Sequence, residues 1–546
     1  FSLLDSHSDP IGDAFEVFVG NESRGRAGQF FTPRAVTDFL VDAIDPQPGE
    51  MVIDPACGAG GFLTSVVRHF VERGQNPKAL GTLTQKTIFG IDKDDYLVKL
   101  ARLHVSLLGG GHPQVRCADS LAMNGDAAAS TPRGGFDVLL TNPPFGVKIV
   151  AANPETLRRF DLAKKWRLAK SGDFMEPTTE YQNNVPPQVL FVERCLALLK
   201  EGGRLGMVLP ESLLSNKSYQ YVVEFLLKRA DVQGVIGMPE ALFKTSGKGG
   251  THTKTCLLIA TKRKVVQSRQ KKPVFMAEAR WCGHDSRARA IPLNDLPQIS
   301  ENFIAFKKRK PIRSSTLGFT IERHNVTTIL CPRYFDPDLD AELEDLKKTH
   351  ELYVLRELVD NGVISIDTGH EPGKLAYGSG DIPFIRTSDI SNWELKADPK
   401  HGVSEEIYQA LRRKQDVQEN DILMVKDGTY LIGTCAIVTS LDQKILYQSH
   451  IFKMRVNTNS MGLDPWLFLA IMSSPVVQRQ IKSKQFTQDI IDSLGARVYE
   501  LVLPVPRSTE RRTQITNMVK QAIACRIEAR ELSRRARSAV TAPTSS

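Results

Sequence analysis

Short apolar runs in the first half of the chain stop on polar turns and give way to helical patterns. That alternation restricts this half to a layered α/β fold. Met51-Val52-Ile53 ends at Asp54, and Gly61 to Val71 then carries a helical pattern. Thr87-Ile88-Phe89-Gly90-Ile91 is followed by a helical stretch from Tyr96 to Leu108. Phe136-Asp137-Val138-Leu139-Leu140-Thr141 runs straight into the rigid turn Asn142-Pro143-Pro144-Phe145. Val189 to Leu199 reads as a helix, and 203–209 and 255–260 read as later strands. The expectation is a parallel α/β sheet with its ligands at the carboxyl ends of the strands.

At 546 residues, two or three domains are expected. From about Val265 the pattern loosens and basic residues accumulate, as in Lys271-Lys272 and Lys307-Lys308-Arg309-Lys310. A charged helix is expected from Leu339 to Lys348, and from Tyr353 to Pro506 short strands alternate with Gly-rich turns. Arg511 to Val540 forms one long helical pattern with Ile515, Val519, Ile523 and Ile527 on one stripe. The stripe fits a coiled coil with a partner helix, or a helix lying on its own domain.

Apolar residues at 41% and charged residues at 24% describe a soluble globular chain. A net charge of +9 favours a polyanionic partner. No apolar run reaches the ~20 residues that span a bilayer, so no membrane partner is expected. Phe1-Ser2-Leu3-Leu4-Asp5 has neither the basic start nor the apolar core of a signal peptide. The eight cysteines form no CxxC pair, which fits a reducing cytoplasm better than a zinc or disulfide framework. The eleven histidines show no HxxxH spacing, so no metal is expected.

The segment Asp54-Pro55-Ala56-Cys57-Gly58-Ala59-Gly60-Gly61-Phe62 lies where a strand turns into a helix. Its glycines permit positive φ and close approach of a ligand to the backbone. The spacing is neither GxGxxG nor a phosphate loop. Asp92 ends the next strand, placed to accept hydrogen bonds from ribose hydroxyls, and Asp119 with Ser120 follows a third. One such acid is often only a helix cap; three in register point to a nucleoside site. In Asn142-Pro143-Pro144-Phe145 the prolines fix the turn. The Asn142 side-chain carbonyl and the Pro143 main-chain carbonyl can accept both hydrogens of an exocyclic amino group. That draws the nitrogen towards sp³ character and frees its lone pair. Phe145 offers a ring on which an extruded base can stack. The plainer alternative is a surface turn beside a core Phe.

With these residues in place, positions 27 to 262 resemble the modification subunits of type I restriction-modification enzymes, among the γ-ordered amino-methyltransferases. Gly28-Gln29-Phe30-Phe31-Thr32-Pro33-Arg34 resembles that family's first cofactor motif, the 54–62 turn its second, and Asn142 to Phe145 its catalytic tetrapeptide. The resemblance implies a Rossmann-like sheet dependent on S-adenosylmethionine. It implies methyl transfer to adenine N6 in double-stranded DNA, with N4-cytosine as the alternative base. Cofactor contacts are expected from Gln29, Phe30, Phe31, Thr32, Pro33, Arg34, Asp54, Pro55, Ala56, Gly58, Ala59, Gly60, Phe62, Asp92, Asp119 and Ser120. Ile382-Pro383-Phe384-Ile385-Arg386-Thr387-Ser388-Asp389-Ile390 and 428–438 resemble a mixed α+β target-recognition domain from a specificity subunit. The expected organisation is a helical segment 1–26, catalytic domain 27–265, connection 266–345, recognition domain 346–508 and spacer helix 509–546. Expected partners are duplex DNA, a second copy through the C-terminal helix, and a separate restriction or translocase subunit.

Rival readings are an RNA or protein methyltransferase, and a DNA-binding defence component whose fold only senses cofactor. Ser246-Gly247-Lys248-Gly249-Gly250-Thr251 lacks phosphate-loop spacing and reads as a loop. Pro337-Asp338 with Asp345-Leu346-Lys347 falls on one helix, where a nuclease would need strands meeting at a metal.

Overall fold

The computed structural model describes residues 32–122, 135–145, 154–170, 172, 174–243, 253–264, 272–287, 289–322, 325–326, 328–396, 399–428, 430–442, 444–488 and 491–541. The chain divides into two compact units, Phe1–Pro337 and Asp338–Ser546.

Helix α1 (Arg34–Ile44) opens the described part of unit 1, with Pro33 at its N-cap. It buries Val36, Phe39, Leu40, Val41 and Ile44 on one face and ends at Asp45 in a left-handed conformation. Strand β1 (Val52–Asp54), helix α2 (Gly61–Glu72), helix α3 (Pro77–Thr87), strand β2 (Ile88–Asp92), helix α4 (Asp95–Gly109) and strand β3 (Gln114–Cys117) follow. Then come β4 (Phe136–Thr141), α5 (Pro187–Leu198), β5 (Leu199–Pro210), α6 (Gln220–Arg229), β6 (Ala230–Gly237), β7 (Thr255–Lys262), β8 (Val274–Glu278), α7 (Leu296–Lys307) and β9 (Phe319–Ile321). These strands form a nine-stranded sheet in the order β3-β2-β1-β4-β5-β7-β6-β8-β9.

The α/β class is the expected one, but the sheet is mixed. β7 runs antiparallel to both β5 and β6, and β9 antiparallel to β8. An apolar run buried on both faces, as 255–260 is, reads the same in either direction, so periodicity could not reveal the reversal. Residues 274–321, expected as part of a connection, carry two strands of this sheet and the helix between them. Alternation of side chains sends Ile53, Leu139, Leu205 and Met207 into one core, and Val52, Val138, Leu140 and Val208 into the other.

α1 is fastened at several points. Arg204 of β5 donates to the carbonyls of Ile44 and Asp45 at 2.9 and 3.1 Å and pairs with Glu50. Lys307 donates to the Ala43 carbonyl at 2.9 Å, and the Ser65 hydroxyl of α2 donates to Asp38 at 2.6 Å.

Unit 2 contains β10 (His350–Val354), α8 (Leu355–Asp360), β11 (Ile364–Thr368), β12 (Ile382–Ile385), α9 (Glu405–Gln415), β13 (Ile422–Val425), β14 (Cys435–Ile437), β15 (Leu446–Tyr447) and β16 (Ile451–Val456). Helices α10 (Pro465–Met472) and α11 (Pro475–Lys484), strand β17 (Val502–Pro506) and the long helix α12 (Thr509–Thr541) complete it. Its largest sheet has the order β11-β16-β13-β14 and is antiparallel, and β10 pairs with β17. The α12 stripe packs on its own unit. Val519 and Ile523 are buried in that unit's core, with Ile515 and Ile527 packed against it. Thr516 donates to Asp464 at 2.7 Å, and Arg530 pairs with Asp442 at 3.0 Å.

Removing the Ile523 side chain beyond Cβ leaves a gap beneath α12. Ile523→Ala is expected to destabilise unit 2 by about 2–4 kcal/mol, read as a lower denaturant midpoint. An unchanged midpoint would show that the stripe is not packed in solution.

Candidate functional site

Strands β2, β1 and β4 are parallel neighbours in register, so their carboxyl ends come together. Asp54 ends β1, Asp92 ends β2, and Thr141 ends β4. Asp54 is only 1% exposed. One oxygen of its carboxylate accepts from the Thr141 hydroxyl at 2.7 Å and from the Ala56 N–H at 3.0 Å. The glycine turn and the Asn-Pro-Pro turn are thereby joined through buried side chains.

The glycine turn is held from its other side by Asp92. That carboxylate accepts from the Gly58 N–H at 3.0 Å and from the Asp94 N–H at 3.0 Å. Asp92 is not a helix cap, because Asp94 caps α4 by accepting from the Tyr96 and Leu97 N–H groups. Burial raises the Asp92 carboxyl above its usual range, against the two backbone hydrogen bonds that lower it. Gly58 has φ +49°, and a Cβ there would face open space; Gly60 has φ +87°, and a Cβ there would sit 3.2 Å from the Ala101 Cβ. The first glycine thus leaves the turn open and the second lets α2 begin against α4.

Two further pins hold this turn. Ser120, buried, donates to the Pro55 carbonyl at 2.5 Å. His104 of α4 donates from Nδ1 to the Ala59 carbonyl at 3.2 Å. His104 carries no motif signal; in the sequence it is only a histidine among the apolar residues of a helical stretch, and the structure buries it. Asp119 is exposed, and its carboxylate accepts from the Leu121 N–H at 2.9 Å in a local turn. Pro55 and Ala59 are buried, Ala56 is half-buried, and Phe62 lies in the core beneath the turn.

In the second turn, the Asn142 side-chain amide donates to the Thr32 hydroxyl at 3.0 Å. The Asn142 side-chain carbonyl is buried, and no described residue satisfies it. Pro143 is buried and Pro144 half-buried. Phe145 is 5% exposed and meets Phe243 edge-on, with ring centroids 5.9 Å apart. The turn is therefore placed as expected, while the ring offered for stacking is packed in the core. Of the first motif, Gln29, Phe30 and Phe31 lie outside the described residues, as does 244–252 with the Ser246–Thr251 loop. Pro33 caps α1, and Arg34 pairs with Asp38 at 3.1 Å.

A buried charge cluster beyond the end of β5 went unforeseen, because its members lie far apart in sequence. Glu211 accepts from Arg333, which is joined to it by an ion pair, and from the Cys331 thiol at 3.3 Å; Lys254 lies 3.6 Å away and pairs with Glu278 at 2.5 Å. Burial alone would raise the Glu211 carboxyl, but Arg333 and Lys254 hold it below its usual range. Ligand atoms of Glu211, Cys256 and Cys331 lie within 4.8 Å of one another. The guanidinium and ammonium already neutralise the carboxylate and would repel a cation. The cluster reads as a charge-compensated brace.

Comparison with known proteins adds family information. A model of the family described as N-6 DNA Methylase matches residues 6–326. The chain is 29% identical over 259 residues to the type I restriction enzyme EcoEI methylase subunit of Escherichia coli, covering 46% of each chain. It is 24% identical over 217 residues to the type II restriction enzyme and methyltransferase RM.BcgI of Heyndrickxia coagulans, covering 38% of this chain and 28% of that one. The chain thus spans about half the length of the first curated relatives it matches. Among solved structures, a type I restriction-modification methyltransferase subunit from Streptococcus thermophilus is 20% identical with a TM-score of 0.40, covering 57% of this chain and 60% of that one. The type IIG restriction endonuclease BpuSI is 12% identical with a TM-score of 0.48, covering 94% of this chain and 63% of that one.

Asp54 gives the site a pH signature that needs no ligand. Burial pushes its carboxyl up to about 7, against the lowering hydrogen bonds from Thr141 and Ala56. The folded state therefore favours the neutral acid more than the unfolded chain does. Its contribution to stability is full below pH ~4 and is lost as pH rises to ~7, on the order of 4 kcal/mol at most. Asp54→Asn keeps an acceptor for Thr141 and Ala56 without the charge. The gap between the two proteins' denaturation midpoints should widen in favour of the variant from pH 4 to 7 and then level off. A constant gap across that window would overturn the assignment of a raised carboxyl.

Proposed function

The chain belongs to the N-6 DNA methylase family, whose model covers more than half of it, and from that premise we propose that it transfers a methyl group to adenine N6 in double-stranded DNA as part of a restriction-modification system. The observation that carries this reading is the buried, unmatched carbonyl of Asn142 at the carboxyl edge of β4. A buried acceptor without a donor costs about 1–3 kcal/mol, and a ligand that brings a donor relieves that cost. An adenine amino group is such a donor. Two hydrogen bonds, to Asn142 and to the Pro143 main chain, would draw its lone pair out of the ring.

The other half of the site supports S-adenosylmethionine as methyl donor. The glycine turn presents an open face at Gly58, and the Asp92 carboxylate stands at the end of β2, one strand over. When bound, this cofactor supplies a methyl group activated by a sulfonium leaving group. The chain's own task is then positioning. Asp92 would hold the ribose hydroxyls and the main chain of 54–60 would lie against the cofactor, with Gln29, Phe30, Phe31, Pro33, Arg34 and Ser120 completing the set. Asn142 would hold the amino nitrogen in line, and the proton can leave to solvent afterwards. Phe145 would wall the pocket of a base extruded from the duplex.

For unit 2 we propose a target-recognition domain that reads base edges, supported by the resemblance of 382–390 and 428–438. The proposed organisation remains a catalytic domain from residue 27 and a recognition domain at 346–508 ending in the 509–546 helix. A second copy and a separate restriction or translocase subunit are its proposed partners. Since the α12 stripe packs on its own unit, a dimer through that helix would use its exposed remainder. Among the described residues no helix is long and apolar enough to cross a membrane; a cytoplasmic location is proposed.

Asn142→Ala tests the chemistry. Transfer of labelled methyl from S-adenosylmethionine to unmethylated genomic DNA should fall by about 10²-fold or more, with cofactor affinity held within about threefold. Turnover equal to the unsubstituted protein, or equal transfer to RNA or peptide, would sink the reading.

A further inference from the structure

A primary amide has two ends of nearly equal size and opposite hydrogen-bonding character. Only the carbonyl end of Asn142 can accept from an amino group; the NH₂ end would meet it donor to donor. Something must therefore hold the amide in one of its two orientations. In this structure the Asn142 Nδ2–H donates to the Thr32 hydroxyl at 3.0 Å across 110 residues of sequence, the orientation that leaves the carbonyl for a substrate. With its nitrogen end engaged, the amide leaves its carbonyl buried and without a partner among the described residues.

We propose that Thr32 is a positioning residue for Asn142, setting the amide so that its carbonyl faces the substrate. This rests on the methyl-transfer reading above, and it departs from the expectation that Thr32 serves as a cofactor contact. Three features make Thr32 fit for the task. Pro33 follows it and restricts its backbone to extended conformations. Its β-branch leaves few χ1 wells, so the hydroxyl stays where the backbone puts it. Helix α1, which begins two residues on, is fastened to β5 by Arg204, to α7 by Lys307 and to α2 through Ser65 and Asp38. From the other side, the Thr141 hydroxyl anchors the residue before Asn142 to Asp54. The amide is thus gripped through two threonines, one on its backbone side and one on its nitrogen.

Thr32→Val keeps the shape and stiffness of the side chain and removes the hydroxyl, both its acceptor and its donor. Single-turnover methyl transfer to unmethylated genomic DNA should slow by about 10- to 100-fold, while the dissociation constant of S-adenosylmethionine, by calorimetry, changes by less than about threefold. Thr32→Ser, which keeps the hydroxyl, should restore most of the rate. Equal weakening of cofactor binding and transfer in Thr32→Val would make Thr32 a cofactor ligand and overturn the proposal, as would an unchanged rate. A second measurement needs no turnover. Thr32→Val should lower the denaturation midpoint of the otherwise unsubstituted protein and leave that of the Asn142→Ala variant unmoved, because the shared hydrogen bond is already gone. Additive shifts would refute the contact. If the unsubstituted protein methylates nothing, the methyl-transfer reading fails by itself, and this cycle still decides whether Thr32 fixes the amide.

Discussion

The site depends on one buried hydrogen bond, from the Thr141 hydroxyl to the Asp54 carboxylate. β1 and β4 are parallel neighbours, and register alone brings their ends level. It does not fix the turns that leave those ends. A hydroxyl on one strand end and a carboxylate on the other do fix them, because each is buried and each would be costly unpaired. From this junction the glycine turn runs towards Asp92 and the Asn-Pro-Pro turn towards Thr32. The two halves of the proposed reaction are therefore registered to each other before any ligand arrives. That is what a transfer reaction with an already activated donor requires of its protein.

Much of this was legible in the sequence. Residue types at strand ends marked the edge of the sheet. Periodicity placed the helices it named to within a few residues, as α2 at Gly61–Glu72 and α4 at Asp95–Gly109 illustrate, but it passed over others such as α1, α3 and α6. What stayed hidden was pairing at long range. Thr32 and Asn142 are each marked by their own motif, but nothing in the sequence pairs the hydroxyl of one with the amide of the other until folding sets them 3.0 Å apart. The Glu211, Lys254, Glu278 and Arg333 cluster is hidden in the same way, since no local rule predicts that four charges from four segments will neutralise one another. Direction was hidden too: β7 is apolar on both faces and gives no sign of running backwards. The α12 stripe was ambiguous for another reason, because a helix face shows that it will be covered and not by what.

Unit 2 lies outside the family match. The family model stops at residue 326, before unit 2 begins at Asp338. Its largest sheet is antiparallel, and the apolar stripe of its long helix is used within the unit. Its surface also exposes apolar side chains, Leu375, Tyr430 and Leu441 among them, so apolar as well as charged groups are open to a partner.

The packing of Phe145 shapes the proposed mechanism further. Stacking on an aromatic side chain contributes ~1–3 kcal/mol to holding an extruded base when the ring face is free. Here the ring is 5% exposed and engaged edge-on by Phe243, so only a fraction of that stacking is on offer without repacking. Polar groups are in the opposite state. The Asn142 carbonyl is already oriented and already desolvated, so a donor that reaches it gains without a further cost of dehydrating the protein side. The site is therefore prepared for the amino group more than for the ring that bears it. Discrimination would then reside in whether an amino group can be presented in line. The choice of which base along a duplex is presented would fall to contacts made elsewhere on the DNA.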